Sequence, residues 1–223
     1  MTEELRAGDP LQAGSPLRTP RAASVAGILF SVLLITALVL LRVSVPANPR
    51  VAGEWLSDSA RRTAVVVALN LVPFAGIAFL WFVGVLRDRI GQREDRFFAT
   101  VFLGSGLLFV AAAVGGGLIA EASSGTPGAG TLALGRNVTG ILLNVYAMRM
   151  AAVFTLTLVT IARRTAIVSR WLTIAGLVTA VLLLVGVGIS AWVELIFPAW
   201  ILVLSVDVLR AGQRPANGSA ASG

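Results

Sequence analysis

The sequence predicts an all-α protein, a polytopic bundle of about six transmembrane helices. Of its 223 residues, 57% are hydrophobic and 13% are charged, and this charged share is about half of that in a typical soluble domain. Several apolar runs reach 18 residues or more, which is enough for a helix to cross a hydrocarbon layer of about 30 Å. Polar segments separate these runs, so one membrane domain accounts for nearly the whole chain.

Composition also predicts where this domain begins and ends. Residues 1–22 carry many Pro, Gly and charged residues, and 211–223 are mostly small and polar. Segments of this kind cannot bury enough apolar surface to order themselves, so both are expected to be disordered cytoplasmic tails around a transmembrane domain at 23–210. The Gly- and Ser-rich stretch 121–137 predicts a mobile connection between two spans.

The last apolar stretch is too long to be a single transmembrane span. Residues 171–209 form 39 nearly continuous apolar positions, about 58 Å as one helix, which is far more than one span can use. We therefore expect two spans with a tight turn near Gly188, Ser190 and Ala191, although a single span remains the alternative. The six predicted spans are 24–43, 63–86, 97–120, 138–162, 171–189 and 192–209.

The arginines predict the orientation of the bundle. Between these spans, twelve arginines fall on the side of the two termini and five on the other side. Excess positive charge stays on the cytoplasmic side, so both termini are expected in the cytoplasm of a cell with the protein in its inner (plasma) membrane. Five spans with the C-terminus outside is the main alternative.

The residue types that are missing exclude several functions. The chain has no histidine, cysteine or lysine, so it offers no imidazole base, thiolate nucleophile or His/Cys metal site. A Ser–His protease and an HExxH zinc protease are excluded for the same reason. The arginines lie between apolar runs without interleaved aromatic residues, which does not indicate nucleic-acid binding. No catalytic, cofactor-binding or metal-binding residue is predicted.

One arginine is placed unusually. Arg149 lies near the middle of the fourth predicted span, where a charge is costly and is expected to face the bundle interior and find a partner. Asn144 and Tyr146 share its span, Asn70 has a similar depth in the second span, and Glu194 begins the sixth. We expect these five side chains to form a polar cluster in the outer half, in which Glu194 pairs with Arg149.

This cluster has two interpretations. It is either a ligand or ion site, the usual meaning of an intramembrane charge, or a structural ion pair with asparagines that bond across helices. Pro73 in the second span predicts a kink close to Asn70.

Small residues in the third span predict close helix packing. Several pairs lie four positions apart, a spacing that favours contact within the chain, with a membrane-protein partner or with a second copy. The residues are Gly104, Gly106, Ala111, Ala112, Gly115, Gly116 and Gly117.

The stretch 69–109 contains the segments L-V-P-F at 71–74, F-L-W-F at 79–82 and R-E-D-R-F-F-A-T at 93–100. It resembles a group of uncharacterised actinobacterial multi-pass membrane proteins. The resemblance covers under a fifth of the chain and implies a multi-span architecture without an assigned activity.

These observations favour a non-enzymatic membrane protein, either an accessory or interaction component or a small-solute transporter that uses the outer-half cluster. The alternative is an intramembrane or lipid-modifying enzyme that uses arginine and carboxylate groups. Besides the lipid bilayer, the expected partner is another membrane protein or a second copy.

Overall fold

The computed structural model describes residues 19–44, 58–90, 96–124, 129–165, 169–186 and 192–211. These residues form helices almost throughout and contain no strand. The helices are α1 Thr19–Ser44, α2 Ser59–Ile90, α3 Arg96–Ser124, α4 Ala129–Gly140, a π-helical segment Ile141–Ala147, α5 Met148–Thr165, α6 Arg170–Val185, a 3-10 turn Val193–Leu195 and α7 Ile196–Ala211. Since α4, the π segment and α5 are continuous, we call them together the α4–α5 rod.

Four helical segments are long and apolar enough to cross a membrane: Arg21–Ser44, Ser59–Arg87, Phe97–Ala120 and Ala133–Arg163. The next helix, α6, is apolar but has only 16 residues, about 24 Å at the standard rise. The all-helical fold and these four helices identify a membrane protein.

Each predicted span overlaps a described helix, but several boundaries differ. α1 begins at Thr19, within the predicted tail, and its Pro20 suits the first turn because no backbone N–H is needed there. The prediction of a mobile connection over 121–137 was wrong for 121–124 and 129–137, which are helical. The many Gly residues of this stretch suggested a loop, but α3 continues to Ser124 and α4 begins at Ala129. Residues 1–18 and 212–223, where most of both predicted tails fall, lie outside the described residues.

Two helical segments occupy the described part of 171–209, and their assignment as two spans stays a prediction. α6 ends at Val185, where the Gly186 N–H donates to the Leu182 carbonyl oxygen at 2.7 Å. A new helical segment begins at Val193. The expected turn residues Gly188, Ser190 and Ala191 lie outside the described residues.

Residues at the starts of α2 and α7 explain where these two helices begin. Asp58 precedes α2, and its Oδ1 accepts the N–H of Ala60 at 3.0 Å, the contact of an N-cap. Pro198 sits in the first turn of α7, where no N–H is required. α2 continues through Pro73, although proline cannot donate the usual helical hydrogen bond.

The helices close into a ring in chain order. α1 packs against α2, α2 against α3, α3 against the α4–α5 rod, α5 against α6, and α6 against α7, which returns to pack along α1. The first and last helices are therefore neighbours. Gly27 of α1 permits this contact, because a Cβ there would overlap Ser205 Oγ of α7.

Phenylalanine rings fill the centre of this ring. Phe30, Phe79, Phe109, Phe154 and Phe197 come from five different helices and are all buried. Their ring centroids form a connected network, with Phe79 at 4.7 Å from Phe30, 5.1 Å from Phe109 and 5.0 Å from Phe154. Rings at these separations pack by edges and offset faces. The described centre of the bundle is therefore packed with phenylalanine side chains.

A second close contact holds α6 in the ring. Gly176 faces Val159 of α5 and the Trp200 ring of α7, where an added Cβ would approach atoms within 2.8 Å. The indole Nε1–H of Trp200 donates to the Leu172 carbonyl oxygen at 3.2 Å. One small residue thus lets three helices meet, and the buried indole nitrogen has a partner.

The outside of the ring is apolar as well. Large hydrophobic side chains are exposed on helices all around it, unlike the charged surface of a soluble protein. They include Val25, Leu29, Val32, Phe74, Ile77, Trp81, Leu107, Leu108, Leu118, Ile174, Val178, Val181 and Val203. An apolar exterior around an apolar core is what a lipid solvent requires.

Several buried hydroxyl groups bond within their own helices, whereas the buried Ser205 Oγ has no hydrogen-bond partner in the described structure. Ser31 Oγ donates to the Gly27 carbonyl oxygen at 2.7 Å, and Thr155 Oγ1 donates to that of Ala151 at 2.7 Å. Bonding to the carbonyl four residues earlier satisfies a hydroxyl where water is absent. These side chains therefore do not mark a hydrated path.

The central packing leads to a matched prediction on one helix. Replacing Phe79 by Ala removes a fully buried ring and leaves a cavity, so we expect a loss of about 3–5 kcal/mol in unfolding free energy. Phe74→Ala is the control, because Phe74 is 61% exposed and should lose less than about 1 kcal/mol by the usual behaviour of surface sites. Reversible unfolding in mixed micelles measures both. Equal losses would contradict the packing described.

Candidate functional site

Arg149 lies on the outside of the bundle. It is exposed, whereas the inward side of the α4–α5 rod is formed by Ala147, Met148, Ala151, Ala152 and Phe154, all buried. The expectation that Arg149 faces the bundle interior was therefore wrong. Depth along a span can be read from sequence, but the direction in which a side chain points depends on which helices flank it.

Arg149 is also near the midpoint of its helix. In the apolar segment Ala133–Arg163 it follows the first residue by 149 − 133 = 16 positions and precedes the last by 163 − 149 = 14. It is thus about 21 Å from Arg163 at the C-terminal end of this segment. An arginine at the centre of a span costs about 2.5–3.5 kcal/mol on insertion scales and more when it faces lipid alone.

Two other predicted residues accompany Arg149 on the rod. Tyr146 lies three positions earlier, on the same side of the helix, and is 56% exposed. Asn144 is partly buried. Both belong to the π-helical segment Ile141–Ala147, and π-helical insertions occur often at functional sites. The structure therefore keeps Tyr146 and Arg149 together on an outward surface.

Asn70 does not join them. It is exposed on α2, and its side-chain amide donates to the Val66 carbonyl oxygen of its own helix at 2.9 Å. α3 lies between α2 and α5 in the ring. Asn70 and Asn144 therefore lie on helices that α3 separates.

Glu194 pairs with Arg42, so the expected pair with Arg149 was wrong. The Arg42 Nη2 to Glu194 Oε1 distance is 2.8 Å. Arg42 occupies the last turn of α1 and Glu194 precedes α7, and α1 and α7 pack against each other. Among the described residues, no carboxylate makes an ion pair with Arg149.

Sequence reasoning missed Arg42 because an arginine at the end of a span is usually an interfacial anchor. The available signal was its position at the same predicted end of the bundle as Glu194. The pair is uneven: the side chain of Arg42 is 34% exposed, whereas that of Glu194 is 10% exposed. The ion pair joins the end of α1 to the start of α7, and the Arg42 side chain stays partly exposed at the surface of the bundle.

The carboxylates whose side chains the structure describes do not converge on a reaction site. Asp58 contacts Arg61 at 3.3 Å at the start of α2, Glu194 is held by Arg42, and Asp207 lies in the last turns of α7. Within the described ranges, no three His, Cys, Asp or Glu side chains come close enough to hold a metal ion. The geometry gives no support to chemistry by paired carboxylates.

The small residues of α3 divide between two sides. Gly106 faces Phe154, Gly116 faces Leu143 and Gly117 faces Val72, so these three serve packing within the chain. Gly104 and Gly115 have open space where a Cβ would project, and Ala111 is exposed.

No protein-family model, curated protein or solved structure matches this chain. The resemblance of 69–109 to actinobacterial membrane proteins therefore stays a prediction.

The uneven burial of the ion pair predicts unequal effects of its two single substitutions. Arg42→Leu leaves the Glu194 carboxylate buried without a counter-charge and should lower the unfolding free energy by about 3 kcal/mol. Glu194→Leu leaves only the part-exposed Arg42, which can extend to the interface, and should cost less than about 1 kcal/mol. The double variant should lie near wild type. Unfolding in mixed micelles measures the stability of all three variants. Equal losses for the two single variants would contradict a buried Glu194 carboxylate that needs Arg42 as its counter-charge.

Proposed function

We propose that this chain is a non-enzymatic six-span protein of the plasma membrane that acts as an interaction component through the outward face of its fourth span. One observation carries this proposal: Arg149 is exposed at the middle of the rod. A charge in this position is tolerated when something other than lipid covers it. The apolar centre supports the same function, because packed phenylalanine rings occupy the described interior.

The topology of the proposal has both termini in the cytoplasm. Four helices are long enough to span by themselves, and α6 and α7 are proposed as a shorter pair of spans. The ring in chain order supports this, because α7 packs along α1 and the Arg42–Glu194 pair joins the end of α1 to the start of α7. The excess of arginine on the side of the termini supports the orientation.

A small-solute transporter is less well supported. That function relied on a polar cluster in the outer half, and the described residues do not assemble it, because Asn70 and Glu194 have other partners. The rings at the centre would have to separate before a solute could pass.

Single cysteines in the naturally cysteine-free chain test the proposal by their reaction with a membrane-impermeant maleimide. Ser59→Cys, exposed at the start of α2, should label on intact cells. Arg210→Cys, exposed at the end of α7, should label only after the membrane is permeabilised. Ser105→Cys and Thr155→Cys, both buried inside the ring, should stay unlabelled in both cases because no water reaches them.

Two outcomes would contradict the proposal in separable ways. Labelling of Arg210→Cys on intact cells would place the C-terminus outside and favour five spans. Labelling of the two interior cysteines, with Ser59→Cys as the positive control, would indicate a hydrated interior and favour transport.

A further inference from the structure

The charge of Arg149 is not neutralised by the described part of its own chain. Glu194 is engaged by Arg42 and Asp58 by Arg61. Asp207 lies in the last turns of α7, close to the inner end of the bundle and far from the midpoint of the rod. Asp88 and Glu121 lie in the last turns of α2 and α3, away from the middle of these helices. A counter-charge at the depth of Arg149 therefore has to come from outside the described helices.

Lipid headgroups are a poor source of this counter-charge. From the centre of a hydrocarbon layer of about 30 Å, the headgroups are about 15 Å away, the rise of about ten helical residues. Arginines near the ends of a span reach the interface with their side chains, but Arg149 is 14 or more residues from either end of its apolar segment.

A second copy of the chain is also unfavourable. A two-fold contact through this face would bring Arg149 close to its own symmetry mate, and like charges in hydrocarbon repel. A second copy would bring the same carboxylates as the first copy, and none of those that the structure describes lies unpaired at the depth of Arg149.

We propose that the outward face of the rod binds a transmembrane helix of another protein that carries one Asp or Glu near its middle. This inference rests on the proposed interaction function and specifies its partner. A carboxylate can accept two parallel hydrogen bonds from the guanidinium of Arg149, and the exposed Tyr146 hydroxyl, one turn away, can donate another.

The rest of the face suits a helix. Ile141 above Arg149 is exposed, and Val153 and Leu156 below it are partly exposed. These side chains form an apolar strip along the rod, interrupted by one charge. A helix with one acidic residue in an apolar sequence complements this strip in both shape and charge, whereas an entirely apolar helix would leave the arginine unpaired.

Synthetic transmembrane peptides test the inference with the full-length chain in zwitterionic phosphatidylcholine vesicles. Three Leu/Ala-rich peptides differ only at the central residue, which is Asp, Asn or Leu. A donor dye on Ser59→Cys and an acceptor dye on the peptide report association by energy transfer. We expect the Asp peptide to bind at least tenfold more tightly than the Leu peptide, and Arg149→Leu to abolish the difference.

Arg163→Leu is the matched control, because Arg163 is also exposed but lies at the inner end of the same helix; it should keep the preference for Asp. Arg149→Lys retains the charge without the planar guanidinium and should keep a reduced preference. This variant keeps the test valid if Arg149→Leu fails to fold.

Three results would overturn the inference. The first is equal binding of the Asp and Leu peptides to the wild-type chain, and the second is an Asp preference that survives Arg149→Leu. The third is an Arg149-dependent displacement of the peptide by anionic phosphatidylglycerol or by an unlabelled second copy, which would make that competitor the occupant. Each can occur while the labelling experiment still shows six spans and a dry interior, so this inference can fail without the proposed function.

Discussion

Five phenylalanine rings at the centre of the bundle are the contact on which the other features depend. They come from α1, α2, α3, α5 and α7, so every one of these helices is positioned by the same cluster. In a membrane the hydrophobic effect does not favour helix–helix contact over lipid, and association relies on close packing. Edge and face contacts among rings supply such packing. With the centre occupied in this way, the charged residues Arg42, Arg149 and Glu194 lie at the ends or on the outside of the ring.

Two kinds of contact hold the ring around this centre. Gly27 and Gly176 let neighbouring helices approach where a larger residue would collide with Ser205 or Trp200. The Arg42–Glu194 pair closes the ring by joining the first helix to the last. Both charges of that pair serve the fold itself. Arg149 differs, because nothing in the described fold uses its charge, and this is why an interaction at the outer surface explains it better than packing does.

The position of the helices along the chain could be predicted from the sequence. The pairing and the direction of side chains could not, because they depend on which helices are neighbours in the bundle. Long apolar runs identified the helices, and the excess length of 171–209 identified the break before Val193. The Gly- and Ser-rich composition of 121–137 hid the start of the rod at Ala129, because helix propensity is weak against the packing of a membrane helix. The pairing of Glu194 was missed as well, because a sequence does not show whether α1 or α5 lies beside the start of α7. Likewise, the midpoint position of Arg149 was evident, but whether it faced the ring or the lipid depended on the order of helices around the centre.

Photo-crosslinking in native membranes tests most directly whether the outward face of the rod is where this protein acts. Benzoylphenylalanine replaces Tyr146 on that face or, as a control, Ile174 on the exposed side of α6. We expect a discrete protein adduct at position 146 that maps to a transmembrane segment with an acidic residue, and that is absent at position 174 and lost with Arg149→Leu. Adducts at position 146 with lipid alone, or the same adducts at both positions, would contradict a specific contact at Arg149.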